Sequence, residues 1–517
     1  MGLFAISPFL SFGQSAPKPN WFNLDLKKDS VFGVSAERAY NELLKGKKGK
    51  SVIVAVLDGG VDYKHEDLKR VMWVNLKEKA GNGIDDDKNG YVDDIHGWNF
   101  LGGKDGSVEH ETLEVTRLVR RDMARFAGKD IASLNHQEKL DYEQFLKNRN
   151  YLETELGTAK SSYAGVYGFK VALDPVVKKI GKENPTLADF EAFLPSTDME
   201  GRVKGSMLSI LKEFEFKDFY ENQILEGIKY YDGQIKYNYN LDYDPRNIVG
   251  EDPNNSQERY YGNADVKGPD AGHGTHVAGI IGADRTNSLG IKGVADQVLI
   301  MGVRNTPNGD ERDKDVANAI RYAVDNGAKV INMSFGKSFV WDKAVVDEAV
   351  KYAVSKDVLI VQAAGNENKD IDVEPNYPSR IYLNGEVAKG YITVGASSWE
   401  NNENLKADFS NYGKNNVDVF APGVKIYSTI PENKYKAENG TSMAAPVVAG
   451  VAALIRSYYP TLTAVQVKEI ILKSVTKVNG NVSFLKKEGP VSVPFSDLSV
   501  SGGIVNAYEA LKLASTY

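Results

Sequence analysis

Residues 51–58 read Ser51-Val52-Ile53-Val54-Ala55-Val56-Leu57-Asp58, an unbroken aliphatic run that stops at a carboxylate and is followed by Gly59-Gly60. A strand with one wet face alternates apolar and polar residues. This run has no polar residue between its ends, which predicts a strand buried on both faces, as in a parallel sheet. Similar runs follow far downstream, at 298–303, 329–333, 358–364 and 391–395. The segments between them carry a helical period. Val316, Ala319, Ile320, Ala323 and Val324 share one face, with Gly327 placed to end that helix, and Val345, Val346, Ala349, Val350 and Ala353 repeat the pattern. Strands alternating with amphipathic helices predict an α/β fold, a three-layer α/β/α arrangement around a mostly parallel sheet.

Between about 103 and 262 this alternation stops. The stretch is rich in charge and aromatics, with one helical face at Tyr142, Phe145, Leu146, Leu152 and Leu156 and others at Leu208, Leu211 and Phe214 and at Ile224, Leu225 and Ile228. At roughly 160 residues it is long enough for a small core of its own. The expected organisation is therefore an α/β domain in two parts, 17–102 and 262–517, interrupted by a helical insertion at 103–261.

With 517 residues and a formal net charge of -7, the chain offers no cationic footprint for nucleic acid. No continuous apolar run reaches the roughly 18 residues that span a bilayer, so no transmembrane segment is expected. Residues 1–16 resemble the apolar region and small-residue cleavage site of a secretory signal without its charged leader, which predicts export to the periplasm, cell surface or medium. The absence of cysteine excludes disulfides and thiolate metal sites.

Three polar groups stand at places where chemistry can be done. Asp58 closes a buried parallel strand, and open α/β sheets build their sites at such carboxyl ends. Ser442, in Asn439-Gly440-Thr441-Ser442-Met443-Ala444-Ala445-Pro446, opens the apolar run 447–455, which reads as a helix buried all round. A hydroxyl in its first turn lies among unpaired N–H groups at the positive end of the helix dipole. It could be a cap or a nucleophile. His273 and His276, two of only six histidines, begin another apolar helix. A metal pair is one reading, but the Glu of a His-Glu-x-x-His helix and a third ligand nearby are missing. A general base oriented by Asp58 and serving Ser442 is the other.

The order Asp, His, Ser separates the versions of this arrangement. Val-Leu-Asp-Gly-Gly-Val-Asp at 56–62, His-Gly-Thr-His-Val-Ala-Gly at 273–279 and Gly-Thr-Ser-Met-Ala-Ala-Pro at 440–446 resemble the three active-site signatures of subtilisin-like serine proteases. The resemblance spans about 35–102 and 262–512. It implies an endopeptidase acting on polypeptides, with Asp58, His273 and Ser442 as triad and Asn366 as an oxyanion donor. It also implies that Ser334, Phe335, Gly336, Ala364 and Gly365 line the substrate groove. Gly59 departs from the family, which usually has Ser or Thr there, so a hydroxyl on the Asp58 carboxylate is lost. The rival expectation is a catalytically silent relative that binds peptides in the same cleft.

One more stretch, Asp85-Asp86-Asp87-Lys88-Asn89-Gly90-Tyr91-Val92-Asp93-Asp94, places oxygens at loop positions 1, 3 and 5 with Gly at 6, as calcium loops do. His96 occupies the twelfth position, which rules out an EF-hand. A structural calcium would draw on Asp85, Asp87, Asn89 and Tyr91, with Asp93 or Asp94 completing the shell.

Overall fold

The run that ends at Asp58 is a strand in the computed structural model, which describes residues 17–486 and 489–517. The leader read at 1–16 lies outside the described residues. Two compact units form. One holds the described residues up to Ser107, then Ile248–Thr306 and Arg312–Tyr517; the other holds Val108–Asn247 and Pro307–Glu311.

The first unit is built on a nine-stranded sheet. Its strands in chain order are β1 (Val52–Asp58), β2 (Gly97–Asn99), β3 (Val298–Arg304), β4 (Val330–Met333) and β5 (Leu359–Ala363). They continue with β6 (Tyr391–Ser397), β7 (Val419–Pro422), β8 (Thr476–Lys477) and β9 (Gly503–Ile504). The spatial order is β8-β9-β7-β6-β5-β4-β1-β3-β2, parallel except for the β8–β9 pair. After β3 the chain crosses β1 and adds β4 on its far side. That reversal opens a crevice at the carboxyl end of β1, where doubly wound sheets bind ligands.

Val52, Val54 and Val56 pack into a core with the helices Gly272–Gly282 and Thr441–Tyr458. The pleat sends Ile53, Ala55 and Leu57 to the opposite face. Helices Asp313–Asp325 and Lys343–Ser355 pack on each other and on the sheet. The α/β/α expectation holds. Every residue of Thr441–Tyr458 except Ser442 and Tyr458 is buried. Each large aliphatic side chain hidden there contributes about 1.5–3 kcal/mol, so the helix is firmly anchored. By length and composition this helix could cross a membrane, although no purely apolar run is that long; 89% of it lies inside the protein, where it forms the core.

The second unit is helical. Its 45-residue helix His136–Ile180 begins with a capping box between Asn135 and Glu138 and ends at Gly181 in the left-handed region. Phe145 and Leu152 are buried as the periodicity predicts. Phe214 is 44% exposed, because the helix Asp198–Ile210 stops before it, and Leu225 is 41% exposed beside buried Ile224. Neighbouring residues on a helix cannot share one narrow face. The core of this unit holds Leu173, Val176, Phe190, Val203, Met207 and the expected Ile224, with Leu208, Leu211 and Ile228 packed against it.

Candidate active site

Register sets the site. Leu57, Met333 and Gln362 lie side by side across β1, β4 and β5. Asp58, Ser334 and the 364–366 turn therefore emerge together at one edge of the sheet. His273 enters from the first turn of Gly272–Gly282, which is brought close because Gly274 has no side chain. A Cβ there would lie 2.2 Å from the Gly60 carbonyl and 3.0 Å from the Asp58 side chain. The hairpin formed by 426–430 and 434–438 holds this helix from the other side. Thr429 and Ser428 donate hydroxyls to the carbonyls of Thr275 and His276, at 2.8 and 2.7 Å.

The imidazole of His273 donates from Nδ1 to both Asp58 oxygens, at 2.8 Å to Oδ1 and 3.0 Å to Oδ2. Asp58 Oδ1 also accepts the Gly59 N–H at 2.7 Å. Asp58 is buried, whereas the His273 side chain is 47% exposed, so the outer ring nitrogen is open to a reactant. Partial desolvation of the ring disfavours its charged form, but the charge and hydrogen bond of Asp58 outweigh this, and His273 titrates above the ordinary histidine value. His276 behaves differently. Burial drives its pKa down to about 4, and its Nε2 contacts the Lys436 carbonyl at 3.0 Å. The two histidines face different partners, which removes the metal-pair reading.

Ser442 is the second residue of its helix, after Gly440 with φ 155° and ψ 157°, a conformation that side chains rarely adopt. Its N–H therefore has no intrahelical acceptor. The Ser442 hydroxyl donates to the Ser334 carbonyl at 2.9 Å, and the Ser334 hydroxyl donates to the Ser442 carbonyl at 2.8 Å. Ser442 forms no hydrogen bond with His273 among the described residues.

Asn366 is held by Thr441, the residue before Ser442 in the 440–446 signature, to which the sequence assigns no role of its own. Thr441 donates its N–H and its hydroxyl to Asn366 Oδ1, at 2.8 and 2.9 Å, and its hydroxyl accepts the Gly365 N–H at 3.1 Å. Two donors on one oxygen fix the amide orientation and leave Nδ2 as the free donor. Asn376 escapes sequence reasoning, while Asn411 lies in the stretch 409–413 that resembles a structural landmark of the family. Both donate Nδ2 to the Ala364 carbonyl, at 3.1 and 2.9 Å, and Asn376 lies against Gly336, so they tie the two walls of the proposed groove together. Phe335 is half-buried and Gly336 exposed. No local pattern signals Asn376, since lone Asn residues in loops are common.

In the acidic loop, carboxylate oxygens of Asp85 and Asp87 gather with one of Glu78 within 4.8 Å of one another. Glu78, seven residues before the loop, was not legible as a partner. Asp93 accepts the N–H groups of Gly81, Asn82 and Gly83. Asp94 accepts Tyr322, Asn75 and Asn89 donors at 2.6, 2.8 and 3.1 Å; even so, burial pushes its carboxyl up to about 6. Asn89 Oδ1 accepts the Tyr91 N–H, and the Tyr91 ring packs among Trp98, Phe100 and Tyr322. Three carboxylates crowded without an internal cation suit a hard divalent ion with oxygen ligands.

The model of the subtilase family of peptidases matches residues 49–489. Thermitase from Thermoactinomyces vulgaris is 39% identical over 242 residues, covering 47% of this chain and 75% of thermitase. Subtilisin DY from Bacillus licheniformis is 38% identical over 224 residues, covering 43% of this chain and 76% of its own. The thermophilic serine proteinase of Bacillus sp. strain AK1 is 40% identical over 215 residues, and there the match spans 41% of this chain and about half, 49%, of the relative. The chain belongs to the subtilase family and is a subtilisin-like serine protease.

Proposed function

We propose that Asp58, His273 and Ser442 form the catalytic triad of an endopeptidase that cleaves polypeptides through an acyl-enzyme. The observation that carries this reading is the Asp58–His273 pair, bonded at 2.8 and 3.0 Å at the carboxyl end of β1. The Ser442 oxygen attacks the scissile carbonyl carbon and its proton passes to His273 Nε2, while Asp58 holds the Nδ1–H and stabilises the imidazolium. The oxyanion is received by the Ser442 N–H and Asn366 Nδ2. The tetrahedral adduct then expels the amine, which takes the proton from His273. Water repeats the sequence on the ester and frees Ser442. Ser334, Phe335 and Gly336 pair with the substrate backbone on one side, and Ala364 and Gly365 bound the other.

The competing reading, a silent peptide-binding relative, draws support from one feature: the Ser442 hydroxyl is turned to Ser334 instead of His273. A fluorophosphonate probe separates the two. Labelling at Ser442, lost in Ser442→Ala together with casein hydrolysis, is the expected result; an unlabelled, folded protein would establish the silent reading. The acidic loop with Glu78, Asp85 and Asp87 holds a structural calcium in this reading. Export follows from the apolar leader at 1–16, and sequencing the N-terminus of protein recovered from the producing cells tests it.

A further inference from the structure

In the sheet-bearing unit, away from Ser442, a polar pocket of 120 Å³ is lined by Lys77, Arg259, Arg321 and Tyr260, with Asp87 and Asp325 on its wall. Arg321 projects from the helix Asp313–Asp325 and its side chain is only 12% exposed. A guanidinium has five N–H donors. The carboxylate of Glu348 is 3.7 Å away, beyond hydrogen-bond range, and is itself 63% exposed. Burial, and then the nearby charge of Arg259, push the Arg321 pKa down. Two guanidinium groups thus face one cavity. Neither Arg259 nor the Lys77 ammonium has an ion pair among the described residues.

The carboxylates on the wall are already engaged. Asp325 accepts the Tyr352 hydroxyl at 2.5 Å. Asp87 accepts Asn75 Nδ2 at 3.2 Å and the Asn89 N–H at 3.1 Å. With three cations against two anions the lining is net positive. At roughly 30 Å³ per liquid water, the cavity has room for a group of a few heavy atoms. We infer that this pocket is a binding site for a tetrahedral dianion, sulfate or phosphate, held between the Arg259 and Arg321 guanidinium groups. Paired guanidinium groups match such oxygens bidentately, which a lone water cannot.

Calorimetric titration of the full chain with sodium sulfate, at ionic strength matched with sodium chloride, tests this. Saturable binding is expected, weakened about tenfold or more in Arg259→Gln and in Arg321→Gln, as befits loss of a charge-assisted bond. A parallel titration with phosphate decides which dianion is preferred, and acetate should compete poorly. Arg259 is exposed, so Arg259→Gln folds and decides the question even if Arg321→Gln does not. Absence of saturable heat with wild-type protein, or unchanged sulfate affinity in Arg259→Gln, overturns the inference. A rise in melting temperature alone would not support it, because sulfate stabilises proteins generally; an equal rise in Arg259→Gln counts against it.

Discussion

Ser334 and Ser442 are hydrogen-bonded to each other twice, each hydroxyl donating to the other's carbonyl, at 2.8 and 2.9 Å. The reason lies four residues on. In a regular helix the Ser442 carbonyl would accept the N–H of residue 446, but that residue is Pro446, which has none. The Ser334 hydroxyl takes its place, pinning the start of the Ser442 helix to the end of β4. Asn332 Nδ2, at 2.9 Å, orients the Ser334 hydroxyl in turn. Ser334→Ala should leave a carbonyl without a donor and cost about 1–3 kcal/mol of stability. Ser334→Thr, which keeps the hydroxyl, should recover most of it. Thermal unfolding of both variants checks this; equal melting temperatures for Ser334→Ala and wild type would show that water replaces the bond fully.

Asn366→Ala should lower kcat with little change in KM, because Nδ2 serves a charge that develops only in the transition state. The expected loss is about 100- to 1000-fold, the range found when subtilisin itself loses its oxyanion-hole asparagine. Thr441→Val removes the hydroxyl that donates to Asn366 Oδ1 but keeps the backbone donor. It should therefore lower kcat by less than Asn366→Ala. Steady-state kinetics on one peptide substrate compares the three proteins, and an effect confined to KM would exclude the oxyanion role.

The sheet and its two buried helices were legible because burial on both faces writes itself into composition: no polar residue could survive inside β1 or the middle of Thr441–Tyr458. Asp58, His273 and Ser442 stand out for the opposite reason, as polar groups at the edges of such runs, whereas Asn366 enters only through the family resemblance. What stayed hidden were contacts between residues far apart in sequence. Nothing near Asn376 announces that it braces the groove, the contacts of Thr441 with Asn366 are not written in its signature, and the Ser334–Ser442 pair spans 108 positions. Glu78 was hidden too, since a single Glu ahead of a run of aspartates reads as one more surface charge.

If Glu78, Asp85 and Asp87 hold calcium, removing the ion leaves three carboxylates in mutual repulsion. Chelation by EDTA should then lower Tm, and calcium should restore it. Saturation at a hundred times Kd corresponds to about 2.7 kcal/mol of stabilisation. Glu78→Gln removes one charge and keeps an acceptor for only one of the Asp87 and Asp93 N–H groups, which bond to different Glu78 oxygens. Its Tm should respond less to calcium than that of wild type. Identical melting curves with and without EDTA would mean the loop is held by its own hydrogen bonds.

Gly59 leaves the Asp58 carboxylate one donor short. Asp58 Oδ1 accepts two donors, His273 Nδ1 and the Gly59 N–H, whereas Oδ2 accepts only His273, at the longer 3.0 Å. A hydroxyl at position 59 would supply the missing donor. The backbone permits it: Gly59 is not in the left-handed region, and an added Cβ would lie 3.2 Å from the Thr306 carbonyl oxygen and 3.4 Å from that of Asp270. The first contact is tight and needs a shift of a few tenths of an ångström. In the present protein the Asp58 charge is what holds His273 above its ordinary pKa despite partial desolvation. His273 must be neutral to take the Ser442 proton, so activity is fully present above that raised pKa and is lost as pH falls through it. A hydroxyl bonded to the carboxylate draws off part of the charge that favours the imidazolium and fixes the carboxylate rotamer. The acid limb of the pH–rate profile should therefore move to lower pH in Gly59→Ser, and kcat/KM near pH 7 should rise. One hydrogen bond that replaces water is worth about 0.5–1.5 kcal/mol, or roughly two- to tenfold in rate. Profiles of kcat/KM against pH for both proteins, with circular dichroism to confirm folding, are the measurement. Superimposable profiles from a well-folded variant would show that the new hydroxyl has gone to the carbonyls of Thr306 or Asp270, and that Asp58 needs no third donor.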